Sequence, residues 1–239
     1  MKILITSAAA PLAQRLAEVL SAEHQLRLTD LVPVETDHEF VLCDLGHGEE
    51  TDALVESVEA IVHVAELPMG ALAAAEQRES RIIDFQTRCT YNLFNAAANA
   101  GVPHAIYAST LRLFEQHDEA WTVTEWWRPA PTTEVEVLAK HLGEFTVREY
   151  ARERRINVTL LRLGTLVKAE AAAGQSLDTS WLEIDDAVQA IAGALAAPAD
   201  TWAIYHVQSE FSGARFLIDR AKRDLSFAPQ FQPAGAGGG

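Results

Sequence analysis

The sequence predicts an α/β protein built on a doubly wound parallel sheet, and three observations carry that reading. Short apolar runs recur along the chain and alternate with segments whose apolar residues fall at helical spacing. The first stretch, MKILITSAAAPLAQRLAEVLSAEHQLRLTD, holds a complete strand, turn, helix and strand. The chain has 239 residues and 49% hydrophobic content, enough for one large core.

The elements follow in order. Ile3-Leu4-Ile5 is the first strand, Ser7 to Ala10 a tight turn of small residues, and Pro11 opens a helix with Leu12, Leu16 and Leu20 in register. Leu26 to Thr29 is a second strand ending on Asp30, and Phe40 to Cys43 a third, ending on Asp44 and Leu45. A helix over about 51–58 leads to a fourth strand at Ala60 to Ala65, followed by Glu66. Residues 81–101 read as one long helix stopped by Gly101. Strand five, His104 to Ala108, ends at Ser109 and Thr110, and a loop with Trp121, Trp126 and Trp127 precedes an amphipathic helix from about 133 to 155. Strand six is Val158 to Gly164, with a plain loop from Ala169 to Gly174. A helix then carries Ile184, Val188, Ile191 and Leu195, with Asp185 and Asp186 as cap and first-turn acids. A seventh strand, Trp202 to Val207, a last helix over about 212–225 and a flexible tail over 231–239 close the chain. The expectation is one Rossmann-like domain over 1–230, its substrate-side portion reduced to about 165–230.

Composition limits what the chain does. A formal charge of −15 disfavours nucleic acid and anionic membrane, which attract basic patches. No apolar run approaches the ~18 residues of a membrane span, and the Met-Lys start leads into a strand with no cleavage-site pattern, so a cytoplasmic setting is expected. Cys43 and Cys89 read as two buried thiols, and no metal-ligand cluster stands out. His63 reads as a core histidine with a satisfied ring, and Glu66 as facing water or a cation.

The turn after the first strand resembles the Thr-Gly-x-x-Gly-x-x-Gly segment of the short-chain dehydrogenase/reductase superfamily, extended epimerase/dehydratase type. Thr6 and the spacing are kept, while Ser7, Ala10 and Ala13 replace the three glycines. The resemblance runs over about 1–230, with a flavour similar to uronate-type sugar dehydrogenases. It implies that Ser7, Ala10, Pro11 and Leu12 border a pyrophosphate, that Asp30 takes ribose hydroxyls, and that Asp44 and Leu45 border adenine. It puts Ala65 and Gln86 on the nicotinamide side, Gln86 standing where the family has an active-site Asn. It gives Thr110 the place of the substrate-polarising hydroxyl and Lys140 that of the lysine in Tyr-x-x-x-Lys. Glu136 occupies the tyrosine position.

A carboxylate is a poor replacement for a phenol that must exchange a proton near neutral pH. Glu136 and Lys140 also stand at i and i+4 in the favourable order, so the two are expected to pair. The residues therefore read as a degenerate site in a binding, regulatory or assembly protein, with NAD or NADP bound weakly or not at all and NAD ahead of NADP. The alternative is an atypical NAD(P)-dependent sugar epimerase, dehydratase or dehydrogenase, supported by Asp30, Asp44, Thr110 and Lys140. A homodimer through the helices at 81–101 and 137–153 is expected, and a sugar-like ligand or a protein partner fits either reading.

Overall fold

In the computed structural model, residues 1–68, 77–172 and 178–232 are described. Seven parallel strands form one sheet, as the sequence predicts, and their order is β3-β2-β1-β4-β5-β6-β9. They are β1 (Lys2–Thr6), β2 (Gln25–Asp30), β3 (Glu39–Leu42), β4 (Ala60–His63), β5 (His104–Thr110), β6 (Asn157–Leu163) and β9 (Trp202–Val207). Between them in the chain lie β7 (Thr165–Val167) and β8 (Trp181–Glu183), a separate two-stranded parallel sheet. Sequence reading misses this pair, because three-residue strands give too few positions to show an alternation.

Alternation along each sheet strand divides the core. Ile3 and Ile5 face the side covered by α1 (Pro11–Leu20), α7 (Ile184–Ala196) and α8 (Asp219–Leu225). Leu4 between them faces the other side, where α2 (Glu49–Leu54), α4 (Thr90–Ala100) and α5 (Val135–Arg152) pack. Both faces are thus buried, which is why the strands read as continuous apolar runs. Strand order reverses between β1 and β4, and their carboxyl ends open a crevice there.

Several local expectations are corrected. The helix foreseen over 81–101 is three segments: α3 (Arg78–Asp84), a π-helical turn over Phe85–Cys89, and α4, ended by Gly101 at φ 75°. A π-turn leaves the apolar spacing almost intact, so periodicity alone reads straight through it. The last helix starts at Asp219, since residues 211–218 carry instead a lone bridge from Phe216 to Val123. Part of the loop expected at Ala169 to Gly174 is a short helix, α6 (Ala169–Ala172). The cap of α7 is Glu183, whose carboxylate accepts Asp185 N–H at 2.6 Å. Asp186 is 3% exposed and accepts from Ser209 Oγ, Gln230 N and Phe231 N, so residues 230 and 231 are held against the domain. Of the expected tail, 233–239 lies outside the described residues.

Candidate functional site

The crevice begins at the turn after β1. Ser7 adopts φ 58°, the left-handed conformation that a glycine would take there without cost. Its hydroxyl offsets part of that strain by accepting Glu66 N–H at 3.0 Å, which fastens the turn to the end of β4. Ala10 N donates to Ser7 O at 2.8 Å, and α1 starts at Pro11 with no side-chain cap. The turn keeps the path that glycines usually secure, and the first N–H groups of α1 point along the helix toward it. Ala13, only 1% exposed, packs its methyl into the core beneath the helix.

Asp30 works inside the protein. It is 2% exposed; one oxygen accepts Ala9 N–H at 2.8 Å and the other accepts Leu31 and Val32 N–H at 2.6 and 3.2 Å. The carboxylate thereby ties the turn to the end of β2. Asp44, by contrast, is exposed and spends one oxygen on Gly46 N–H at 2.7 Å. Leu45 is buried at φ 55°, its carbonyl accepting from Asn92 Nδ2 at 3.0 Å. The carboxylates of this half are thus largely committed to main-chain N–H groups.

Ala65, Gln86, Thr110, Glu136 and Lys140 converge on one cavity of about 330 Å³, joined by Arg78, Ile82 and Arg112. Lys140 Nζ donates to Val64 O at 3.0 Å and Ala108 O at 2.7 Å, so it bridges the ends of β4 and β5. Burial of that end of the side chain lowers its pKa to about 8, against the pull of Glu66 and Glu144. Two of its N–H donors are used, which leaves one. Thr110 Oγ1 accepts Arg112 N–H at 3.2 Å and keeps its own proton to donate.

The expected Glu136–Lys140 pair does not form. Glu136 pairs with Arg78, while Lys140 turns to the two carbonyls. Helical spacing brings both side chains to one side of α5, but carbonyls at two strand ends offer the ammonium a buried polar cradle that an exposed carboxylate does not. Arg112 is paired twice, with Glu115 at 2.6 Å and with Glu134. Glu66 is exposed, as expected.

Gln86 is a buried strut: its amide N–H donates to Ala65 O, and its carbonyl accepts Tyr107 O–H at 2.8 Å. Ala65 sits at φ 54°, so Gln86 holds a strained residue at the crevice floor. Tyr107 in turn fits only because residue 143 of α5 is glycine: a Cβ there would lie 2.0 Å from Tyr107 Oη. His63 beneath is fully buried, with Nδ1 bonded to Thr6 Oγ1 at 2.8 Å and Nε2 to Thr90 Oγ1 at 3.0 Å. Burial and nearby Lys140 push its pKa down to about 3, so it is the neutral core histidine the sequence indicates.

Sequence reasoning missed Arg78, Arg112, Tyr107 and Gly143. Arg112 stands two residues after Thr110, and that proximity was a usable signal. Arg78 gave none, because it reaches Glu136 across 58 positions. Trp121, Trp126 and Trp127 do not line the cavity; Trp127 packs against the cluster of Leu111, Phe114 and Phe216, and Trp126 is 85% exposed.

A doubly wound sheet, a helix start at its switch point, and a lysine between two strand ends beside a hydroxyl define a Rossmann-type protein of the short-chain dehydrogenase/reductase kind. The chain belongs to the NAD dependent epimerase/dehydratase family, whose model matches residues 7–179. It is similar to a uronate dehydrogenase of Pseudomonas syringae pv. tomato, 27% identical over 202 residues, which are 82% of this chain and 70% of the relative. Among solved structures, uronate dehydrogenase from Agrobacterium tumefaciens, as a mutant complexed with NAD, matches with a TM-score of 0.80 at 22% identity, covering 96% of this chain and 84% of that one. UDP-glucuronic acid 4-epimerase from Bacillus cereus, in complex with NAD, matches with a TM-score of 0.77 at 16% identity over 99% and 96% of the two chains. These relatives favour the enzymatic alternative over the non-catalytic reading drawn from the altered motifs.

Proposed function

We propose that this protein binds NAD and oxidises an acidic sugar, as an atypical member of its family in which Lys140 exchanges the substrate proton in place of the missing tyrosine. The observation that supports this most is the setting of Lys140: fixed by two carbonyls, lined up with Thr110 in one cavity, and lowered to about 8. A fraction of the amine is then neutral near physiological pH, which a free lysine does not offer. Ser7, Ala10, Pro11 and Leu12 would hold the pyrophosphate, Asp30 and Asp44 with Leu45 the adenosine side, and Ala65, Gln86 and Lys140 the nicotinamide side. Bound NAD would supply the hydride acceptor.

The chain's own contribution is then threefold. Thr110 donates to the substrate hydroxyl oxygen and orients it. The neutral Lys140 amine takes the hydroxyl proton as the carbon gives up its hydride, leaving a carbonyl and an ammonium. Arg78 and Arg112, at the cavity wall, offer guanidinium donors to the carboxylate of the sugar, in exchange for Glu136 and Glu134. The buried Asp30 carboxylate would repel a 2′-phosphate, which favours NAD over NADP.

A second reading, a binding, regulatory or assembly protein, is favoured by Glu136, which stands in the tyrosine position with its charge spent on Arg78. A homodimer suits either, since α3, α4 and α5 carry exposed Ile83, Tyr91 and Phe145. A cytosolic setting suits two free buried cysteines.

Calorimetry with NAD and NADP, followed by absorbance at the reduced-nicotinamide band with a panel of uronates, tests the proposal. NAD binding with turnover that rises through a pH of about 8 is expected. NAD binding without turnover on any uronate would leave the second reading, and no binding of either dinucleotide would overturn the first.

A further inference from the structure

The middle turns of α5 border a second cavity that shares no lining residue with the first. It measures about 480 Å³ and lies between α5, the loop at Arg128 and Pro129, and the edge strand β9. Arg128, Arg148 and Arg162 line it together with His141, Phe145 and Trp202. The one acid that lines it, Glu144, is held by three bonds: Oε1 accepts from Ser109 Oγ and Arg162 Nε, and Oε2 from Arg162 Nη2.

We propose that this cavity is a binding site for a small oxyanion, a carboxylate or a phosphate, separate from the NAD and sugar site. Arg162 is 3% exposed and its Nη1 has no hydrogen-bond partner among the described residues, so a charged donor is buried at the cavity wall with its bond unmade. An unmade bond to a buried charged donor is costly, and an oxyanion removes the cost. Arg128 has neither a side-chain hydrogen bond nor an ion pair among the described residues. Arg148 lies over the Phe145 ring at 4.5 Å and reaches only its neighbour Glu149, at 3.3 Å. His141 Nδ1 is also buried without a partner among the described residues, and burial lowers that ring's pKa, against the pull of Glu144 and together with Arg162 and Arg148. Guanidinium forks match carboxylate and phosphate oxygens, and Arg128 and Arg148 line the same space as the unpartnered Nη1 of Arg162. The cluster is not a by-product of a basic surface, because the chain carries a net charge of −15. Trp202 and Phe145 add flat apolar walls, suited to the body of an aromatic carboxylate.

The test uses the full chain at fixed ionic strength, titrated calorimetrically with inorganic phosphate and, separately, with benzoate. Saturable binding of at least one probe is expected. Arg128→Ala and Arg148→Ala should each weaken it ~10-fold or more, in line with the loss of a charge-assisted hydrogen bond. Neither residue belongs to the buried Arg162–Glu144 pair, so both variants should fold, with unchanged thermal melting. Arg223→Ala, an exposed arginine on α8, should leave the affinity as it was, and saturating NAD should not displace the probe. Trp202→Ala separates the two sources: weaker benzoate with unchanged phosphate points to an aromatic carboxylate, equal effects on both to a phosphate-like ion. No saturable binding of either probe, equal loss in Arg223→Ala, or displacement by NAD would overturn the proposal.

Discussion

Two glutamate–arginine pairs tie helix α5 to other elements in contrasting surroundings, and the contrast separates scaffold from site. Glu144 and Arg162 are buried, with side chains 8% and 4% exposed, joined by two parallel bonds of 2.9 and 2.8 Å between helix and β6. Glu136 and Arg78 are 36% and 45% exposed and meet at the cavity that holds Lys140. Water screens the second pair and leaves it worth ~1 kcal/mol at most, whereas neither partner of the first can be released without stranding a charge. The first pair is therefore fixed framework. The second is exchangeable, which is what a carboxylate-bearing ligand needs.

The largest effect is expected from breaking the framework pair. Arg162→Met should destabilise by ~3–5 kcal/mol in denaturant unfolding, because Glu144 is then left charged and buried. The double change Arg162→Met with Glu144→Leu should recover much of that loss, since paired removal leaves no stranded charge. If the single variant unfolds like the parent protein, the two pairs do not differ as described.

Next in size is Lys140→Met. Turnover on the best uronate should fall ~10²–10⁴-fold as the proton acceptor is lost. The pH profile supplies the sharper readout. The sign follows from the folded value of about 8, below the ordinary 10.5: the amine becomes available as pH rises through about 8, so kcat/KM should rise there in the parent. In the variant that rise should vanish, whereas a purely structural lysine would lower the rate without changing the shape of the profile.

Gly143→Ala probes the layer that joins the two regions. The added Cβ would lie 2.0 Å from Tyr107 Oη and 3.1 Å from Gln86 O. Overpacking of that kind should cost ~1–3 kcal/mol of stability, and, by shifting Gln86 and Ala65, should weaken NAD more than it weakens the sugar. Calorimetry on the folded variant checks the second part; equal losses would mean that Gln86 does not position the nicotinamide side.

The smallest stability effect belongs to the exchangeable pair. Glu136→Gln should change the unfolding midpoint little, within ~1 kcal/mol, yet lower KM for uronates by freeing Arg78. A raised KM with unchanged kcat would instead assign Glu136 to substrate binding.

The sequence by itself determined the sheet and its seven strands, because apolar runs buried on both faces and helical spacing between them are local signals, while the turn and helix motifs carried the resemblance to the family. The resemblance of its motifs also located Thr110, Lys140, Gln86 and Ala65, which the fold brings to one cavity. The tertiary structure decided what those residues touch. Spacing along α5 pairs Glu136 with Lys140; across the fold Arg78 takes the glutamate and two strand-end carbonyls take the lysine. Likewise nothing in local pattern names a protein partner for Asp30, and folding set both its oxygens on main-chain N–H groups, which fixes the carboxylate at the end of β2. In each case the competing partner lies tens of residues away or on the main chain, and neither the distance nor the direction of such a partner is written in local pattern. Burial then set the chemistry, moving Lys140 toward neutrality through a desolvation that exists only once β4, β5 and α5 have closed around it.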